Sequence, residues 1–154
     1  MIRRYVENDM ADVLRLFLLN TPKFFAPSEE RPFMDYLDGH AENYYVVEES
    51  NEIIGAGGLN YGFDNGTTSK ISWDMIHPEA QGKGVGLRLI KFRIKKSRKE
   101  SHVDEIVVRT SQLAYGFYKK CGFRLERIEE DYWAKGYHLY HMAMDLSSME
   151  NKRT

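Results

Sequence analysis

The stretch 77–90, HPEAQGKGVGLRLI, places glycines at 82, 84 and 86 directly before a run of helix formers. Glycine inside a helix costs roughly 0.5–1 kcal/mol relative to alanine, so helix formation gives no reason for three of them there. On the N-terminal side, SKISWDMI (69–76) alternates Ile71, Trp73 and Met75 with Ser72, Asp74 and Ile76, the period of a strand. From Val85 onward the pattern is helical, with Leu89, Phe92 and Ile94 on one side. The chain therefore has to build a strand, a glycine turn and a helix in succession. A helix N-terminus offers unpaired N–H groups and partial positive charge, and glycines let a phosphate come close to them. A tight turn with no ligand is the plain alternative, although one glycine usually suffices for a turn.

The spacing excludes two common phosphate loops. Lys83 is followed by Gly84 and not by Ser or Thr, so the nucleoside-triphosphate loop is absent. Gly86 follows Gly84 one position too soon for G-x-G-x-x-G, and position 87 is leucine. The second cluster, GAGGL (55–59), fails the same test and sits inside an apparent strand, where a bulge or close backbone approach explains it.

Composition narrows the class further. The 154 residues fit one domain, 1–146, followed by a short polar tail, 147–154. With 42% hydrophobic and 13% aromatic residues the chain is globular, and a net charge of -1 argues against general nucleic-acid binding. The single cysteine, Cys121, excludes a Cys-rich metal site, and no metal is expected. The N-terminus has early arginines without an apolar run after them, and apolar runs fall short of the ~20 residues that span a membrane. A cytoplasmic protein without membrane contact is the expectation.

The remaining segments read as alternating helices and strands. Residues 2–5 form a short strand, and Asp9 caps a helix carrying Val13, Leu14, Leu16, Phe17 and Leu18. EERPFMDYLDG (29–39) is a second short helix, with Pro32 in its first turn and Gly39 at its end. Runs 44–48 and 53–61 flank a Ser-Asn turn as a hairpin. EIVVRT (105–110) is a buried-type strand, a helix follows from 112 to 121, and Gly122 stops it. Two strands, 123–131 and 138–146, close the chain around an aromatic loop, YWAKGY. This is an α/β sheet with both pairing types.

Gln81-x-x-Gly84-x-Gly86 matches the Q/R-x-x-G-x-G/A signature, and the chain resembles the GCN5-related N-acetyltransferases (GNAT). The preceding 76–79 is similar to the end of that family's fourth strand. AYGFYKKCGF (114–123) resembles its second hallmark, A-x-x-F-Y-x-x-x-G-F, at the distance the family's helix-strand-helix requires. The resemblance covers nearly the whole chain. It implies a single GNAT-type α/β (α+β) domain with a mixed, mostly antiparallel sheet of about six to seven strands and about four helices.

It also implies acyl transfer from acetyl-coenzyme A to an amine acceptor, by direct transfer in a ternary complex. By resemblance, the backbone of Gln81, Gly82, Lys83, Gly84, Val85 and Gly86 holds the coenzyme pyrophosphate, and Met75 and Ile76 pair with the pantetheine arm. The Ile76 N–H is the analogous oxyanion donor. Tyr118 occupies the general-acid position, where a phenol can protonate the departing thiolate. Its plain alternative is a packing aromatic beside Phe117. Lys119 is placed to reach coenzyme phosphates, or is an ordinary solvated lysine.

Two positions depart from the family pattern. Ser111 stands where many members carry asparagine, seven residues before the motif tyrosine; serine still caps and donates, with shorter reach to the pantetheine. No general base is evident, and Asp74 is the first choice, with a solvent-facing strand residue as its alternative. The basic run 91–99 reads as the polar side of an amphipathic helix. His138 and His141 are three apart in a strand and face opposite sides, and Cys121 reads as a small buried hydrophobe. The acceptor is an amine-bearing small molecule or peptide, and a homodimer is left open. The rival class is a non-enzymatic coenzyme A-binding sensor or interaction module on the same fold.

Overall fold

The computed structural model describes residues 1–146. The polar tail read at 147–154 lies outside the described residues. In chain order the elements are β1 (Ile2–Arg4), α1 (Met10–Leu19), α2 (Glu30–Gly39), β2 (Tyr44–Glu49), β3 (Glu52–Phe63), β4 (Thr68–Ile76), α3 (Val85–Arg98), β5 (Glu105–Thr110), α4 (Tyr115–Lys120), β6 (Arg124–Ala134) and β7 (Tyr137–Asp145). The seven strands form one sheet in the order β1-β2-β3-β4-β5-β7-β6. The β4–β5 pair is parallel, and β1–β2, β2–β3, β5–β7 and β6–β7 are antiparallel, so the expected mixed, mostly antiparallel sheet is present. Contacts divide the chain into two units. The first is Met1–Gly58 with Trp73–Leu89, and the second is Leu59–Ser72 with the chain from Ile90 onward.

In the first unit, α1 buries Val13, Leu16 and Phe17, and α2 buries Phe33, Tyr36 and Leu37. Both sets follow the i, i+3, i+4 rule of an amphipathic helix. They pack with Tyr44, Val46, Ile53, Ala56 and Met75 from the strands, each large side chain worth about 1.5–3 kcal/mol when fully buried. The hairpin between β2 and β3 turns through Ser50 (φ 51°) and Asn51 (φ 63°), the left-handed pair a two-residue turn requires. Close approach of side chains, rather than of backbone, explains two glycines of the cluster in β3. A Cβ at Gly58 would lie 2.4 Å from the Tyr36 hydroxyl, and one at Gly55 would lie 3.0 Å from Ile76 Cδ1 and 3.2 Å from Val85 Cγ1.

In the second unit, the parallel ladder runs from Thr68↔Glu105 to Ile71↔Val108. β7 pairs with β5 on one side, from Glu105↔Asp145 to Thr110↔Tyr140, and with β6 on the other. The buried hydroxyls of Ser69 on β4 and Ser97 on α3 hydrogen bond at 2.8 Å, fixing helix to strand.

Four local expectations need correction. Asp9 does not cap α1 with its side chain. It ends a 3-10 turn, Glu7–Asp9, and its carboxylate accepts the Val6 N–H at 2.8 Å and the Arg3 guanidinium at 2.9 and 3.0 Å. The helix expected over 112–121 is shortened to Tyr115–Lys120, because Ser111 accepts the Leu113, Ala114 and Tyr115 N–H groups in a preceding turn. The aromatic loop is mostly strand. Tyr132, Trp133 and Ala134 belong to β6, and the turn is Lys135–Gly136, with the register slipping between Glu129 and Ala134 around Asp131 at φ 53°. Cys121 is half-buried at the end of α4 rather than buried.

Candidate active site

The end of β4 is built around a bent strand. Trp73 adopts φ 50°, a left-handed conformation that costs a bulky residue about 1–3 kcal/mol. Packing and a hydrogen bond offset that cost. The Tyr44 hydroxyl donates to the Trp73 carbonyl at 2.8 Å, and the indole lies 5.1 Å from the Phe33 ring and 5.9 Å from the Phe25 ring. Burial through the bend still follows the alternation read from the sequence, with Trp73 packed against the core. Met75 goes into the core at 3% exposure, while Asp74 and Ile76 are half-buried.

Beyond Ile76 the chain is held by side-chain amides. Asn20, buried at the end of α1, donates from Nδ2 to the carbonyls of Leu16 at 2.8 Å and Ile76 at 3.0 Å. Gln81 donates from Nε2 to Asn20 Oδ1 and to the same Ile76 carbonyl, both at 3.1 Å. The motif glutamine thus has its side chain turned inward, leaving its backbone to the turn. Asn20 was missed in the sequence, where an asparagine before Thr-Pro reads only as a helix end. Between these anchors, the His77 N–H donates to the Ile54 carbonyl at 2.8 Å. His77 Nδ1 accepts the Glu79 N–H at 3.1 Å, capping the short turn Pro78–Ala80.

Gly82 (φ 77°) and Gly84 (φ 84°) both occupy the left-handed region. A Cβ built at either meets no atom within 4 Å. Conformation, not crowding by protein, is therefore the chain's own reason for glycine at these two positions. Val85 is buried and opens α3, the Arg88 N–H closes its first turn onto the Gly84 carbonyl at 3.0 Å, and Lys83 is exposed. Arg88 is engaged by Glu49 at 2.6 Å. The first unit thus brings together Met75, Ile76, Gln81, Gly82, Lys83, Gly84, Val85 and Gly86 as one continuous strand end, turn and helix start.

Asp74, on the same strand end, also belongs to the first unit, and the second unit carries Ser111, Tyr118 and Lys119. Tyr118 is 4% exposed, with its ring edge-on to Phe117 at 5.0 Å and to Phe123 at 5.9 Å. Ser111 is buried and accepts the Leu113 N–H at 3.2 Å through Oγ. Lys119 Nζ lies 5.8 Å from the Tyr115 ring centroid. The hairpin of β6 and β7 is tied down by Gln112, whose amide donates to the Gly136 carbonyl at 2.7 Å and accepts the His138 N–H at 3.0 Å. Trp133 Nε1 donates to the Thr110 carbonyl at 3.0 Å, and the Arg109 guanidinium sits over the rings of Tyr132 and Trp133. His138 Nδ1 accepts the Asp131 N–H at 2.9 Å, and His141 pairs in register with Arg109 and Arg127. Among the described residues no helix is long and apolar enough to cross a membrane.

This strand, glycine turn and helix stand within a seven-stranded mixed sheet, an α/β architecture. The acetyltransferase (GNAT) domain model matches residues 20–146, and the chain belongs to that family. Solved structures share the fold at low identity. A GNAT-family protein from Desulfovibrio desulfuricans superposes with a TM-score of 0.81 at 19% identity, over 96% of this chain and 99% of that one. The ribosomal-protein-alanine N-acetyltransferase from Brucella melitensis gives 0.74 at 17% identity, over 95% and 99%. An aminoglycoside 6'-N-acetyltransferase complexed with coenzyme A gives 0.72 at 16%, over 96% and 98%. No curated protein matches the chain.

Proposed function

We propose that this protein is an N-acetyltransferase that moves an acetyl group from acetyl-coenzyme A directly to an amine acceptor. The observation that carries the reading is the pair of left-handed glycines, 82 and 84, with open space where their side chains would stand, at the start of a 14-residue helix. Such a turn aims backbone N–H groups at an anion and leaves room for a phosphate. The residues therefore fit a pyrophosphate-bearing coenzyme.

The coenzyme supplies an activated thioester; the chain supplies the rest. The backbone from Gln81 to Gly86 binds pyrophosphate, while the Gln81 side chain keeps the turn on the end of β4. Met75 and Ile76 offer main-chain groups to the pantetheine, and the Ile76 N–H stabilises charge on the reacting carbonyl oxygen. Ser111 offers a hydroxyl to the pantetheine and Lys119 a cation to the coenzyme phosphates. Tyr118 delivers a proton to the departing sulfur, and Asp74 accepts one from the ammonium, directly or through water.

The test is thiol release from acetyl-coenzyme A across a panel of amines that includes small amines, amino acids, aminoglycosides and peptide N-termini. Amine-dependent release is expected. Coenzyme binding without turnover on any amine would overturn the enzymatic reading in favour of a coenzyme-binding module, and absence of coenzyme binding would overturn both.

A further inference from the structure

The register of β5 with its two neighbours fixes which side chains share a face. Lys70 pairs with Val107 in the parallel ladder, Arg109 lies two residues on, and Arg109 pairs with His141. His141 pairs in turn with Arg127 on β6. Ladder partners share a face, as do residues two apart, so Lys70, Arg109, His141 and Arg127 line one face across four strands. The other face takes the helices: Ser69 bonds to Ser97 on α3, and the Tyr140 ring meets that of Tyr115 on α4.

Charge on the cationic face is unevenly matched. Arg124 is answered by Glu105 at 3.5 Å and Arg127 by Glu129 at 3.6 Å, and Glu126 lies 3.6 Å from His141 Nε2. Among the described residues, neither Lys70 nor Arg109 has a carboxylate within ion-pair distance. Asp64 acts on Lys70 from further off and already accepts the Thr68 hydroxyl at 3.2 Å. Both cations are instead held over rings. Lys70 Nζ lies 4.1 Å from the Phe63 centroid, and the Arg109 guanidinium lies 4.9 and 5.9 Å from those of Tyr132 and Trp133. A ring face holds a cation without using up its N–H donors.

Both side chains are half-buried, where a cation lacking an anion is costly. Burial and the Arg109 charge push the Lys70 amine below its ordinary value. Burial, then the charges of Arg127, Arg109 and Lys70, push the His141 ring down against the pull of Glu126. His141 Nδ1 is buried and meets no hydrogen-bond partner among the described residues.

We propose that Arg109, with Lys70 beside it, is a receptor for an oxyanion, a carboxylate or a phosphate, on the sheet face opposite α3 and α4. The planar guanidinium offers a fork of donors that matches two oxygens, and Lys70 adds a second charge. Arg109 stands two residues before Ser111 and is stacked on Trp133 of the β6–β7 hairpin. Resting on the N-acetyltransferase reading, this position makes the oxyanion a group of the acceptor, an amine that also carries a carboxylate or phosphate. A free regulatory anion is the other source of the same chemistry.

Histidine-ring NMR tests the site without turnover, with inorganic phosphate added at constant ionic strength. The His141 signal, assigned by its loss in His141→Gln, should move saturably. Its titration midpoint should rise, because a nearby anion favours the charged ring. Arg109→Met keeps an apolar stem over the rings and should weaken phosphate binding at least about ten-fold. Lys70→Met, which leaves the hairpin untouched, should weaken it as well; circular dichroism checks the fold of both. An unresponsive His141, or a response that both variants leave unchanged, would overturn the proposal. Kinetics then separate the sources. A KM that rises in Arg109→Met for amines carrying a carboxylate, and not for their amides, makes the anion part of the acceptor. Equal KM values for the two, with phosphate binding lost, make it a free anion. Failure to turn over any amine would overturn the acetyltransferase reading and leave the phosphate result standing.

Discussion

Gln81 Nε2 donates to the Ile76 carbonyl at 3.1 Å, so the motif side chain clamps the end of β4 while the motif backbone forms the turn. The same amide reaches Asn20 Oδ1 at 3.1 Å, and Asn20 donates to Ile76 in its turn. Asn20, distant in sequence, thereby joins Ile76 and Gln81 in fixing where the strand stops and the glycines begin. Gln81→Leu removes a donor from two acceptors and should lower stability by about 1–3 kcal/mol in urea unfolding without ligand. An unchanged midpoint would show that water replaces the amide at no cost.

Gly84 separates conformational from ligand effects. At φ 84°, valine is strained whatever the space around it, so Gly84→Val should lose stability as well as coenzyme affinity. Asparagine tolerates the left-handed region, and Gly84→Asn should stay within about 1 kcal/mol of the unaltered chain. Its side chain would still fill the space needed by pyrophosphate, so calorimetry should show at least ten-fold weaker binding of coenzyme A, on the order of 1.4 kcal/mol. Full affinity in the asparagine variant would make the turn purely structural.

Tyr118→Phe keeps the edge-on contacts with Phe117 and Phe123 and removes only the hydroxyl. Turnover should fall by roughly 10²–10⁴-fold with coenzyme affinity little changed. Turnover near that of the unaltered enzyme, with chemistry shown to be rate-limiting, would leave Tyr118 a packing residue.

Trp133 is tied to the Thr110 carbonyl by its indole N–H. Trp133→Phe should cost about 0.5–1.5 kcal/mol for that hydrogen bond. Trp133→Ala should raise the acceptor KM and leave coenzyme affinity nearly intact, if the β6–β7 hairpin forms part of the acceptor wall. Unchanged acceptor kinetics in the alanine variant would restrict the residue to covering the end of β5.

The pair Arg3 and Asp9 predicts an acid-limb effect. Hydrogen bonds from the Arg3 guanidinium, and then from the Val6 N–H, hold the Asp9 carboxyl below its ordinary value against the opposing effect of burial. A depressed folded value means the unfolded chain binds the proton first as pH falls. The contribution is therefore fully present above the unfolded value near 3.9 and is lost as pH drops through the folded one. Asp9→Asn should lower the urea midpoint at neutral pH and flatten its decline in acid. Parallel pH profiles for the two proteins would refute the assignment.

Periodicity and turn chemistry alone determined much of this protein: the strand before the turn, the helix after it, the Ser-Asn hairpin, and the positions of α1 and α2. These depend on local geometry, where period and turn chemistry act within a few residues. Tertiary structure decided what those signals could not carry. Ser111 and Gln112 are drawn into a turn and a hairpin clamp, so α4 starts three residues later than its pattern suggests. Tyr132, Trp133 and Ala134 become strand because β7 supplies a partner and the bulge at Asp131 absorbs the mismatch. Trp73 bends β4 only because Tyr44, Phe33 and Phe25, distant in sequence, offset its strain. Asn20 gains its role from a carbonyl 56 residues away. Long-range partners of this kind leave no period in the chain, because the energy that selects them exists only once the core has closed.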